Sequence, residues 1–259
     1  MFAPRPRRSA RARLVALVGA LAVTWAAGGL AKPAKRKPKK PRVTEEAGWA
    51  ETPAAKYAAL TGTACLRELR QRKVQFAEVE SARGVAIPVR LKGPLGGVLY
   101  RTELPPAERA DTPHEIMDCR LVLALHDLSA LLVKRDIEEA LIFSAWRPPA
   151  KSWPADKHAI RHPGGLAIDL RRLVKKSSGG AKPKDLVVLR DWKPARGQAP
   201  CTKEARAAGS ADAQELRAIF CDADDLRLFT SMLSPNYDQA HENHFHLEIR
   251  PEVRWRLVL

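Results

Sequence analysis

The sequence has no Cys-x-x-Cys pair, no cysteine before Cys65, no acidic residue among its first 43 positions and no internal repeat. Without closely spaced thiols, a cysteine-based zinc site is excluded as the reading of Cys65, Cys119, Cys201 and Cys221. With no thiol near the end of the first apolar run, nothing there can carry a lipid. The lack of repeats excludes a tandem array. The acidic gap locates the charge. Of 45 basic residues 12 lie in the first 43, so 33 face 29 acidic ones in the rest, which is only mildly basic despite a formal charge of +16 overall. Specific nucleic-acid recognition by the folded part is therefore not expected.

What is present is an ordinary globular composition. The 259 residues are 45% hydrophobic and 29% charged, enough for one sizeable core or two small ones, which excludes a wholly disordered, collagen-like or multi-span chain. Five arginines within Met1–Arg13 precede 18 uncharged residues, Leu14 to Ala31, that end in small residues. This is the layout of an export signal over 1–31, cleaved or kept as an anchor. Residues 32–47 begin with Lys32 to Arg42, a stretch of only Lys, Arg, Pro and Ala that cannot bury a core. It reads as a basic linker, either a spacer or a contact to an anionic envelope surface. Export to the periplasm or cell envelope favours disulfides among the four cysteines. Three connectivities are possible, and Cys65–Cys119 with Cys201–Cys221, each closing a local loop, is preferred.

Residues 48–118 read as a lead-in, with a helix over 54–72 and strands over 85–91 and 97–100. The main domain, 119–259, starts with a helix over 119–135, whose apolar residues recur at spacings of three and four. Strands follow over 140–146, 166–170 and 186–189, the last two joined by a Lys/Ser/Gly stretch. A helical pattern over 212–233, broken near 222–225, and an alternating strand over 244–250 complete it. This order predicts an α+β fold, a small antiparallel sheet flanked by helices.

The chemistry concentrates in histidines. His162 and Asp169 are seven apart in HAIRHPGGLAIDL, with Pro163-Gly164-Gly165 bending the chain before Asp169 enters a strand. In HENHFHLEI, alternation sends His244, His246 and Glu248 to one face and Phe245, Leu247 and Ile249 to the other. Two imidazoles and a carboxylate suit Zn²⁺, whose fourth position is left to water. A further histidine beside the metal can move protons or stabilise an oxyanion. His158 and His241 read as spares, solvated or else outer ligands, His126 as structural, and Trp146, Trp153 and Trp192 as core or cleft wall.

Arg161 to Asp169 is similar to the His-x-x-Gly-x-Ala-x-Asp motif of the D-Ala-D-Ala carboxypeptidase and dipeptidase metallopeptidases, and Ser144 to Pro148 resembles their Ser-Gly-Tyr-Arg-Pro segment. Leu233 to Leu247 resembles the ending of the bacterial extensin-like C-terminal domain family, Pro-x-Tyr-Asn-x-x-His-x-x-His-Phe-His. The resemblance spans about 119–259. It implies a metallopeptidase-like fold with His162, Asp169 and His246 as zinc ligands, His244 as the catalytic histidine and Arg147 as the group that binds a substrate carbonyl or carboxylate. It further implies hydrolysis of peptidoglycan stem-peptide amide bonds, as an endopeptidase or carboxypeptidase. Two departures bear on this reading: the carboxypeptidases place a Glu three residues before the last ligand, where this chain has Asn243 with Glu242 one step off, and Gly164 stands in the first motif where a polar residue is usual. The alternative expectation is a non-catalytic wall-binding or structural module with a degenerate zinc cleft.

Overall fold

Asp118 caps a helix by accepting the Arg120 N–H, and the apolar spacing that follows carries that helix from Cys119 to Val133 with nine side chains buried. The remaining elements assemble around it. The computed structural model describes residues 47–177 and 183–259. In chain order it contains α1 (Pro53–Ala58), α2 (Gly62–Gln71), β1 (Phe76–Glu78), β2 (Pro88–Leu91), β3 (Leu99–Arg101), α3 (Pro106–Asp111), β4 (Ile116–Asp118) and α4 (Cys119–Val133). There follow β5 (Ile137–Ile142), β6 (Ala167–Lys175), β7 (Asp185–Val187), α5 (Val188–Asp191), α6 (Lys203–Ala207), α7 (Ala211–Asp225), β8 (Ser231–Leu233), β9 (Phe245–Glu248) and β10 (Leu257–Val258). The expected leader 1–31 and linker residues 32–46 lie outside the described residues, as does 178–182 of the Lys/Ser/Gly stretch.

The fold is α+β. A sheet in the order β10-β8-β9-β6-β5-β3 has β7 joined to β6, and a second sheet is β1-β2-β4. Pairing is antiparallel except at the two ends of the larger sheet, where β3 lies parallel to β5 and β10 to β8. Strand β6 is central: β5 holds one edge, while β9 and then β7 share the other. Leu128 and Leu132 of α4 and Ile219, Phe220 and Ala223 of α7 meet Leu170, Met232, Phe245 and Leu247 of the sheet in one apolar layer. Burial of such a side chain contributes about 1.5–3 kcal/mol, so this layer is a main source of stability. Residues 47–118 share the core through Trp49, Tyr57, Leu69 and Val89. Disulfides Cys65–Cys119 and Cys201–Cys221 tie α2 to α4 and the chain before α6 to α7.

Several expected boundaries move, each for a local reason. The helix over 54–72 is two helices, because Thr61, extended at ψ 165°, starts a new one at Gly62. The strand over 140–146 is β5, which starts three residues earlier and ends at Ile142, with Glu139 paired to Arg101 across the β3 edge. Strand β6 runs on to Lys175 because its charged residues have partners: Arg171 and Arg172 reach Glu103, and Lys175 Nζ lies 2.6 Å from Glu215. The strand over 186–189 stops at Val187 and turns into α5. Helix α7 ends at Asp225, within the expected break at 222–225. Acids at a helix C-terminus oppose its dipole, but here Asp222, Asp224 and Asp225 pair with Arg135, Arg206 and Arg256. The second half of that expected helical pattern is instead strand β8.

Candidate metal centre

The Pro-Gly-Gly turn comes first in the construction of the site. His162–Gly164 form a single 3-10 turn, and Gly165 leaves it at φ +63°. A side chain on Gly165 would meet the Asp118 nitrogen at 2.9 Å, and one on Gly164 the Ala159 carbonyl oxygen at 2.3 Å. Only glycine lets the turn press this closely on both backbones. The Asp118 N–H donates to the Gly165 carbonyl at 2.8 Å. His162, placed by this turn, directs Nδ1 to the Ala145 carbonyl at 2.7 Å, which puts the proton on Nδ1 and leaves Nε2 facing inward.

The sheet supplies the other groups. Asp169 on β6 sits opposite His246 on β9. Asp169 Oδ1 lies 3.0 Å from His162 Nε2, 3.1 Å from His246 Nδ1 and 3.2 Å from His244 Nε2, and His162 Nε2 is 3.2 Å from His246 Nδ1. Each imidazole has its other nitrogen turned to an acceptor: His162 to Ala145 O, His244 Nδ1 to Asn243 Oδ1 at 2.7 Å, and His246 Nε2 to Glu248 Oε2 at 3.6 Å. His162, Asp169, His244 and His246 are all buried. The expected alternation of β9 holds, with Phe245 and Leu247 in the apolar layer.

Arg147, half-exposed, donates from Nη2 to Asp169 Oδ2 and from Nε to Ser144 Oγ at 2.7 Å. The expected ligand trio, the expected catalytic histidine and the expected arginine are therefore brought together. Burial opposes charge on Asp169, but the imidazoles of His162, His244 and His246 gathered around it outweigh that and hold the carboxyl far below the usual carboxylate range. Burial likewise opposes charge on His246, yet Asp169 and Glu248 raise its pKa.

The donor set fits a tetrahedral cation. Ligands bound at about 2.0–2.1 Å in a tetrahedron lie about 3.3 Å from one another, close to the separations found here. Nitrogen and carboxylate donors, each imidazole backed by an acceptor, are the chemistry zinc takes.

Two further residues, given no place in the expected ligand set, join the site. His241 is half-buried rather than solvated: its ring centroid is 5.2 Å from that of His244 and 5.8 Å from that of His246, and its Nδ1 lies 2.6 Å from Asp238 Oδ1. Burial lowers its pKa, against the pull of Asp238. His241, His244 and His246 form a second group close enough to share a cation. The signal for His241 was its place one turn before the strand, in His-x-x-His. Glu248 stands buried behind His246. Glu242 does not enter and pairs with Arg196 at 3.1 Å. His158 lines a separate groove with Glu80 and Arg83, and His126 lies on α4 beside Arg72. Trp192 is core, packed edge-on to Phe220 and Phe245.

No curated protein and no solved structure matches the chain. A family match is present over residues 181–258, which carry β7 to β10 with His241, His244, His246 and Glu248 but neither His162 nor Asp169. Over those residues, the second part of the 119–259 segment, the chain is similar to the family described as Extensin-like protein C-terminus.

Proposed function

We propose that the protein is an exported zinc-dependent peptidase that hydrolyses amide bonds of peptidoglycan stem peptides, as an endopeptidase or carboxypeptidase. The observation that carries this reading is the convergence of three inward imidazole nitrogens on Asp169 Oδ1, at 3.0, 3.1 and 3.2 Å. Zinc at this point would supply Lewis acidity, polarising a substrate carbonyl and lowering the pKa of water to about 7. His162, Asp169 and His246 are the residues that would hold it. His244, with Nδ1 fixed by Asn243, offers Nε2 to move a proton to the leaving amine. Arg147, its side chain half-exposed, keeps N–H donors for a substrate carbonyl or carboxylate.

Exposed apolar residues at the rim favour a peptide with small apolar side chains. Phe143 meets His244 edge-on at 5.8 Å, Tyr237 meets His241 at 5.3 Å, and Ile160 stands two positions before His162. The two disulfides favour an oxidising compartment, the periplasm or cell envelope. Among the described residues no helix is long and apolar enough to cross a membrane. The basic linker would add attraction to an anionic envelope surface.

Asn243 favours a second reading, a wall-binding module with a degenerate cleft, because the position of the carboxypeptidase base holds an amide already engaged by His244. The deciding experiment measures zinc content by elemental mass spectrometry in the native protein and His246→Ala, then digests purified sacculi. One zinc per chain, lost in the variant, with new peptide ends in the digest, supports the peptidase. Zinc without cleavage favours the module, and no zinc removes the metal reading.

A further inference from the structure

Glu248 shares the face of His244 and His246 but takes no part in the expected ligand set. Its side chain is 2% exposed, and its Oε1 has no hydrogen-bond partner. Its cross-strand neighbours are Ala167 and Ser231, and neither offers that oxygen a bond. A buried carboxylate in such surroundings is costly, so its presence calls for a reason other than packing. The backbone of Glu248 is pinned, its carbonyl accepting both the N–H and the hydroxyl of Thr230 at 2.9 Å. The side chain is thereby aimed along one line, with Oε2 3.6 Å from His246 Nε2 and 3.8 Å from Arg161 Nε.

Arg161 is unusual for an independent reason. It sits at φ 56° and ψ −144°, a conformation natural to glycine and strained for arginine. Its carbonyl accepts the N–H groups of Gly164 and Leu166 at 3.0 and 2.9 Å, so the turn that presents His162 fixes this conformation. Glycine would serve the turn better. The arginine contributes its guanidinium, whose ion-pair partner among the described residues is the buried Glu248.

We infer that Glu248 and Arg161 are a positioning pair for His246: the carboxylate engages Nε2 so that Nδ1 alone faces the cation position, and the guanidinium holds the carboxylate on that line. The inference rests on the zinc reading above. An outer carboxylate of this kind fixes a ligand histidine's tautomer and ring orientation. Both act through His246, as positioning residues.

The test uses the full chain with both disulfides formed, and reads the zinc dissociation constant by chelator competition and the melting temperature of metal-free protein. Glu248→Gln is expected to weaken zinc binding about 10- to 100-fold, while the metal-free protein melts no lower, because a buried charge has been removed. A merely structural role would lower the melting point and leave affinity alone. Arg161→Gly is expected to raise the metal-free melting temperature by relieving the turn, yet to weaken zinc binding. It decides the matter should Glu248→Gln not fold. Native-like zinc affinity in the folded variants overturns the positioning pair alone. A native protein that takes up no zinc overturns the metal reading, and this inference with it.

Discussion

Asp169 and His246 are direct cross-strand neighbours on β6 and β9, with Asp169 Oδ1 3.1 Å from His246 Nδ1. Two backbones joined by ladder hydrogen bonds set that separation, so this part of the donor set is fixed before any cation arrives. His162 comes from a turn instead, and its position depends on Gly164, Gly165 and the Ala145 carbonyl.

Replacing a ligand and replacing the proton-moving histidine should therefore separate. His246→Ala is expected to lose zinc and activity together while the circular dichroism stays native. His244→Ala is expected to keep zinc and lose about 10²- to 10⁴-fold in kcat. Zinc content and sacculus digestion on the same preparations check both, and full activity in His246→Ala would remove that residue from the ligand set.

Metal removal should be visible as stability. A ligand that binds only the folded state at 100 times its Kd adds about 2.7 kcal/mol. Dialysis against a strong chelator is expected to lower the melting temperature, and added zinc to restore it in the native protein but not in His162→Ala. Calorimetry with and without zinc makes the comparison.

The disulfides differ in the length of chain they close. Cys65–Cys119 spans a sequence separation of 54 and Cys201–Cys221 one of 20. In the loop-entropy picture the longer closure is worth about 0.9 kcal/mol more. Replacing the pair at 65 and 119 by serine should cost more stability than replacing the pair at 201 and 221, read by urea denaturation.

Tyr57 gives a pH dependence. Its hydroxyl donates to Asp127 and accepts from Arg72 Nη2 at 2.9 Å. Burial, with Asp127, pushes its pKa up from about 10 to about 12, against the opposing effect of Arg72. A folded-state pKa above the unfolded value gives stability that is complete below pH 10 and is lost as pH rises through 12. Between these limits the urea midpoint of the native protein is expected to fall more steeply than that of Tyr57→Phe. Parallel slopes would refute the linkage.

The sequence revealed most where one local rule dominates. The helix at Cys119 and the alternation of Phe245, His246, Leu247 and Glu248 follow from periodicity, and His162 with Asp169 from spacing around a Pro-Gly-Gly bend. Less legible were features set by distant partners. β6 continues through Arg171 and Arg172 because Glu103 waits across the sheet, and α7 keeps three aspartates in its last turn because Arg135, Arg206 and Arg256 reach them. His241 was hidden for a similar reason, since only the turn before β9 shows which way its ring returns.

The pairing of β6 with β9 also bears on the order of folding. Asp169 and His246 are separated by a long stretch of chain that includes β7, α5, α6, α7 and β8, so their meeting is a non-local event with a loop-closure cost that must be met before the contact returns anything. The cation position is consequently a late product of folding. In a stopped-flow refolding experiment helical signal from α4 should precede the ability to capture zinc, which makes metal uptake a clock for completion of the central sheet.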